Sequence, residues 1–182
     1  MRDGIPVVYA DESCLTTKLL RSHQWMVKRK NIEVDEKLLN TKTLAFVLAI
    51  SKDKGLVACK TFERSLDQFD FIAFLKVLRK KYGDQRFALF IDNAGFHKAI
   101  KVNEYVADHN IEIILSPIYS PEYQPVESVI GLVKQCIKKK RLQNILQGKE
   151  QSYEKMLNEA LKRVTSEYCI KVIKYCSNLI NS

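Results

Sequence analysis

Three acidic residues stand where strands end or a helix begins. Asp11 closes the apolar run PVVYADES (6–13), Asp92 closes the strand in RFALFIDNAG (86–95), and Glu127 sits in the first turn of the helix begun by PVESVIGLVK. Carboxylate oxygens suit hard cations such as Mg²⁺, which take one or two carboxylates together with water and substrate phosphate. Two such ions roughly 3.5–4 Å apart activate a water and stabilise the leaving oxygen of a phosphodiester displacement. The pattern therefore points to metal-assisted phosphoryl transfer, provided that residues far apart in the chain meet.

Each acid also has a plainer role open to it. A glutamate in a first helical turn serves the dipole and the cap. Asp92-Asn93-Ala94-Gly95 reads equally as a strand-to-helix turn. Asp11 has a rival beside it in Glu12, and His97 could simply start its helix.

The elements that must position these groups follow from periodicity. The segments TLAFVLAIS (43–51) and GLVACKTF (55–62) flank a turn with glycine and predict a hairpin. Phe71, Phe74, Leu75 and Leu78 fall at helical spacing within 66–83, and Gly83 suits the stop. A buried strand at 86–92, a helix over 97–110 and a strand over 111–116 follow. Pro125 suits a first helical position, and Val126, Val129, Ile130, Val133 and Ile137 share one face beyond it. Helical spacing recurs from about 150 and over 167–180, whereas 14–42 reads as a loop or irregular insert. The order predicts an α/β fold: a mixed sheet of about five strands flanked by helices. The first strand and the Asp92 strand, run parallel as neighbours, would set Asp11 and Asp92 side by side at one edge. The helix from Pro125 would bring Glu127 over it.

Composition narrows the partner. The 182 residues hold 30 Lys+Arg against 21 Asp+Glu, a net charge of +9, which favours a polyanion: nucleic acid first, an anionic membrane surface second. On the Glu127 helix, Gly131, Lys134, Lys138 and Arg141 follow the glutamate at spacings that share its face. Such a stripe suits a phosphate backbone passing the site, or a solvated lysine face. The cluster Lys28-Arg29-Lys30 beside Trp25 is a second candidate DNA contact. Five cysteines with no C-x-x-C pairing argue against a zinc finger or a secreted disulfide framework. No run reaches the roughly 18 apolar residues of a membrane span. MRDGIPVVYADES lacks a signal-peptide layout, and reduced thiols in an intracellular protein are expected.

YADES, FIDNAGFH and LSPIYSPEYQPVESVIGLVK together resemble the DDE catalytic core of mariner-type transposases and their bacterial insertion-sequence relatives. The resemblance spans about residues 5–141. Its most specific part is D-N-A-x-x-H followed by Y-S-P-E-x-x-P-x-E, with 34 residues (93–126) between Asp92 and Glu127, a spacing this family uses. It implies a ribonuclease-H-like fold with Asp11, Asp92 and Glu127 as the catalytic, metal-binding triad. Asn93 and His97 match supporting positions, and Lys134 matches a basic position after the glutamate. It implies two Mg²⁺ or Mn²⁺ ions, cleavage by water at a transposon end, and attack of the freed 3′-hydroxyl on target DNA. The family usually has Asn-Pro where this chain has Gln124-Pro125, and glutamine caps helices less well, so a looser loop is expected.

Further expectations follow from the resemblance. Residues 1–145 would form the catalytic domain, with 146–182 a helical extension packing on it. The N-terminal helix-turn-helix region that reads transposon ends would be missing, or supplied by a separate polypeptide. Partners would be transposon-end and target DNA, with a possible homodimer. The setting would be the bacterial nucleoid, or the nucleus for a eukaryotic source. The alternative is a truncated remnant that binds DNA non-specifically without catalysis.

Overall fold

The computed structural model describes residues 4–16, 42–117, 120–149 and 152–180. Its strands are β1 (Val7–Leu15), β2 (Leu44–Ser51), β3 (Gly55–Phe62), β4 (Phe87–Ile91) and β5 (Ile111–Leu115). The helices are α1 (Gln68–Tyr82), α2 (Ile100–Asp108), α3 (Pro125–Leu146), α4 (Tyr153–Leu161) and α5 (Ser166–Ile180). The strands form one mixed sheet in the order β3-β2-β1-β4-β5. The first three are antiparallel, while β4 runs parallel to β1 and β5 parallel to β4. This is the mixed five-stranded sheet expected from the element order.

Alternation along β1 splits the core in two. Val8 and Ala10 join Val47, Leu89 and the α1–α2 layer of Phe71, Phe74, Leu75, Leu78, Val102 and Val106. Tyr9 and Leu15 face the other way, with Phe46, Leu48 and Ile50, toward α3, α4 and α5. The α3 residues Val126, Val129, Ile130, Val133 and Ile137 are all buried there. At about 1.5–3 kcal/mol for each large apolar side chain, this burial outweighs any propensity difference and fixes how α3 lies on the sheet.

Local signals set the helix ends. Asp67 caps α1 by accepting from the amides of Phe69 and Asp70, while Asp70 accepts from the Asp67 amide in return. Gly83 closes that helix at φ 55°, as its position after the last periodic residue predicts. The single helix expected over 97–110 is instead a 3-10 turn, Gly95–Lys98, followed by α2, with extended Ala99 between them. β1 also runs further than its expected end near 13. Cys14 and Leu15 pair with Ala45 and Leu44, and Leu15 is fully buried, so the insert does not begin at 14. Its centre, with Trp25, Lys28, Arg29 and Lys30, lies outside the described residues. Among the described residues no helix is long and apolar enough to cross a membrane.

Candidate active site

The β1–β4 register explains how two distant aspartates become neighbours. Val7, Val8 and Tyr9 lie opposite Ala88, Leu89 and Phe90 in parallel. Carried on by two residues, the same offset sets Asp11 level with Asp92, the first residue beyond β4. Alternation then turns Asp11 to the face of Tyr9, Leu15 and α3, and Glu12 to the face of α1 and α2.

Glu127 arrives from the third direction. Pro125 occupies the first turn of α3, and the Glu127 amide donates to the Gln124 carbonyl. The Gln124 side chain makes no cap hydrogen bond to its helix. Its Nε2 instead donates to the Ala10 carbonyl on β1 at 3.2 Å, and the residue is buried. The departure expected to loosen this loop thus ties it to the strand of Asp11.

Asp11 feels the other acids electrostatically. Asp11 accepts a hydrogen bond from the Glu12 amide at 2.8 Å, yet its carboxyl is pushed up to about 7. Burial is the largest cause, the charge of Glu127 the next, and Glu12 and Asp92 add to it. Glu127 itself is exposed to solvent at the head of α3. The charges of Glu127, Glu12 and Asp92 thus all reach Asp11, although the group of ligand-type side chains that lies within 4.8 Å among the described residues is Glu12, Asp92 and His97 and not the expected triad. A divalent cation would relieve that repulsion, and carboxylate oxygens are the donors such a cation takes, so the residues fit the metal.

Glu12 meets a different partner. The Nε2 of His97 lies 2.8 Å from Glu12 Oε1, and its Nδ1 lies 3.0 Å from Asp92 Oδ1. Nδ1 is also 3.2 Å from the Asp92 carbonyl. One ligand-type atom of each of Glu12, Asp92 and His97 lies within 4.8 Å of the others. The ring is 1% exposed and packs between Phe71 and Phe96, centroid to centroid 4.4 and 4.3 Å. Carboxylates only accept, so the Glu12 contact is a hydrogen bond when Nε2 carries a proton, while Nδ1 hydrogen-bonds the Asp92 carbonyl with Oδ1 in ion-pair range. Burial opposes the charged ring, but Glu12 and then Asp92 outweigh it and hold His97 above its ordinary pKa.

Other residues place the loop. Ala94 donates its amide to Asp92 Oδ1 at 3.1 Å. Asn93 donates its side-chain amide to the Ser116 carbonyl at 3.1 Å, joining the turn after β4 to the end of β5. Asn93 thus supports the site's frame.

The basic stripe on α3 divides. Lys134 and Lys138 are half-buried, with Lys134 nearer the helix start. Arg141, expected on DNA, is fully buried: its guanidinium donates to the Tyr153 hydroxyl and to the Thr16 carbonyl. Fourteen residues turn a helix about 40° short of four full turns, so Arg141 drifts from the Glu127 face toward the apolar stripe. There α4 covers it. Arg141 therefore ties α3, α4 and the end of β1 together and faces no phosphate backbone.

Sequence periodicity did not single out Glu12 as a partner of His97. The signal was present: alternation sends an acid next to Asp11 to the opposite face of the strand, where a buried histidine needs an acceptor.

A family model described as DDE superfamily endonuclease matches residues 6–147. A comparison with curated proteins finds no match. Among solved structures, the Mos1 transposase paired-end complex with left transposon end superposes with a TM-score of 0.64 at 17% identity. The match covers 93% of this chain and 52% of that one, so the chain spans about half of that transposase's length. The Mos1 transposase catalytic domain with raltegravir and Mn matches at TM-score 0.61 and 17% identity, covering 93% of this chain and 76% of that one. An intasome of simian T-cell lymphotropic virus in complex with PP2A regulatory subunit B56 gamma matches at 0.61 and 13%, covering 88% of this chain and 49% of that one. The shared architecture is ribonuclease-H-like.

Proposed function

The chain belongs to the DDE superfamily endonucleases, and from that premise we propose that it is a transposase catalytic core that cuts and joins DNA strands. Asp11, Asp92 and Glu127 are its catalytic residues and would hold the divalent ions, two Mg²⁺ or Mn²⁺ in this reading. The observation that carries this reading is the β1–β4 register that sets Asp11 level with Asp92, with Asp11 pushed up to about 7 by burial, then Glu127, then Glu12 and Asp92. Acids placed in the middle of β1, just past β4 and in the first turn of α3, with their charges bearing on buried Asp11, make poor structural sense by themselves and become favourable once cations are bound. The Mos1 catalytic domain solved with Mn or with Mg supports divalent metal as the cofactor.

The reaction is two phosphoryl displacements. Water attacks the scissile phosphorus and the 3′-oxygen leaves; that 3′-hydroxyl then attacks a phosphodiester of the target, joining to its 5′-phosphate as the target's own 3′-oxygen leaves with a proton. Bound divalent ions supply activation of the attacking oxygen and neutralise charge on the leaving one. The chain's own groups provide the frame. Asp11 is rigid on β1, Asp92 is pinned at the turn after β4, and Glu127 is aimed by the Pro125 turn and the Gln124–Ala10 tether. Lys134 and Lys138, following Glu127 along α3, hold the DNA backbone. DNA as the partner is supported by the transposase–DNA complexes among the similar structures.

The test is nicking of supercoiled plasmid with Mn²⁺. Asp11→Ala, Asp92→Ala and Glu127→Ala should each abolish nicking while DNA binding persists. Binding without nicking by the unaltered chain would favour a non-catalytic remnant. Nicking that survives one substitution would remove that residue from the triad.

A further inference from the structure

We propose that Glu12 is a positioning residue that acts through His97: it locks the imidazole so that Asp92 presents one chosen oxygen to metal. This rests on the reading of Asp92 as a metal ligand.

The geometry separates a locking role from ligation. In a histidine ligand, one ring nitrogen and the neighbouring carboxylates point at a common centre. Here the ring stands between the two acids, with Nε2 on Glu12 Oε1 at 2.8 Å and Nδ1 on Asp92 Oδ1 at 3.0 Å. Both nitrogens are engaged, Nδ1 by the Asp92 carbonyl as well, and the buried ring is flanked by Phe71 and Phe96.

The effect falls on Asp92. Its side chain is 51% exposed, so it would otherwise sample several rotamers in water. The His97 Nδ1 and the Ala94 amide both approach the same oxygen, Oδ1, at 3.0 and 3.1 Å. That arrangement leaves Oδ2 for an incoming cation and fixes its direction. Groups that orient ligating side chains in this way commonly alter metal affinity by about 10–100-fold when removed. Glu12 is well suited to the task because its neighbour Asp11 belongs to the opposite face of β1. One short stretch of strand thus supplies a ligand to one side and a support to the other.

The experiment compares Glu12→Ala with Glu12→Gln, measuring Mn²⁺ affinity by calorimetry and, in parallel, Mn²⁺-dependent plasmid nicking. A glutamine amide can both donate and accept, so it keeps a hydrogen bond to Nε2. Glu12→Ala should weaken Mn²⁺ binding roughly tenfold or more, and Glu12→Gln should restore it to within about threefold of the parent. Should Glu12→Ala fail to fold, Glu12→Asp, which retracts the oxygen by one methylene, carries the same expectation. Parental affinity in Glu12→Ala would overturn the proposal. Equal loss in Glu12→Gln and Glu12→Ala would overturn it too, in favour of direct ligation by Glu12. The arms also separate this proposal from the reading beneath it. If Asp92→Ala binds Mn²⁺ and nicks like the parent, the triad assignment falls. If Asp92→Ala is dead and Glu12→Ala is unaffected, only the positioning role falls.

Discussion

The Nε2 of His97 lies 2.8 Å from Oε1 of Glu12, joining residues 85 positions apart in the chain. Through the other nitrogen of the same ring, which bonds the Asp92 carbonyl, the turn after β4 is anchored to β1. The bond crosses the layer that also holds Phe71, so α1, β1 and the Asp92 turn are fixed as one unit. Neighbouring Asp11 belongs to the opposite face, beneath α3. A site assembled in this way is rigid on one side and charge-frustrated on the other, which is a suitable condition for taking up cations.

The frustration has a pH signature. The Asp11 carboxyl is raised to about 7, well above the unfolded range near 4. A raised group contributes stability that is fully present below the unfolded pKa and is lost as pH climbs through the folded one. Metal-free protein should therefore lose thermal stability between roughly pH 4 and 7 through this residue. Asp11→Asn should remove that slope and raise the melting temperature at pH 8 by roughly 5 °C. Added Mg²⁺ or Mn²⁺ should stabilise the parent more at pH 8 than at pH 5, because protons compete with metal. Thermal melts across pH with and without metal check this, and a flat profile for the parent would contradict it.

Much of this was legible from pattern. FALFI followed by Asp-Asn announced a strand tip, and Pro125 with the spacing Val126, Val129, Ile130, Val133 announced α3. Both rest on local periodicity, which sequence carries directly. The Glu12–His97 bond was not legible because it depends on how the strand and the 3-10 turn pack, and no local pattern encodes that. Arg141 failed for a related reason. A helical wheel sets it close to Glu127, but its surroundings are decided by Tyr153 on a later helix.

That difference makes Arg141 and the two lysines separable. Arg141→Ala should cost about 3 kcal/mol of stability, since it removes a buried charge with its hydrogen bonds, and leave the salt dependence of DNA binding unchanged. Lys134→Ala and Lys138→Ala should barely alter stability. Each should lower the slope of log affinity against log salt by roughly 0.9. Urea melts and binding titrations at several salt concentrations measure both. A reduced slope in Arg141→Ala that still folds would return it to the DNA surface.

The hairpin joining β2 and β3 sits against α5. Gly55 has φ +67°, and a Cβ built there would lie 2.5 Å from Ser166 Oγ and 2.7 Å from Ser166 Cα. Gly55→Ala should destabilise by roughly 2 kcal/mol, combining left-handed backbone strain with the clash. Ser166→Gly in the same chain removes the hydroxymethyl group but not the Cα, so it should recover only part of the loss. Full recovery in the double variant would mean that the strained backbone contributes nothing.

Gln124 offers the sharpest test of how α3 is aimed. Its Nε2 reaches the Ala10 carbonyl, one residue before Asp11, and Glu127 follows one helical turn later. Gln124→Ala deletes the tether and leaves the Ala10 carbonyl without this donor, at a cost of about 1 kcal/mol. The effect on chemistry should be larger than that on stability, because small displacements of a positioned group cost rate steeply. A tenfold or greater fall in Mn²⁺-dependent nicking, with DNA affinity held and melting lowered by only a few degrees, is the expected result. Gln124→Asn, one methylene shorter, should behave like the alanine variant if reach to Ala10 is what matters. If asparagine instead preserves full nicking, the amide works locally at the helix start and the β1 tether does not set the position of Glu127.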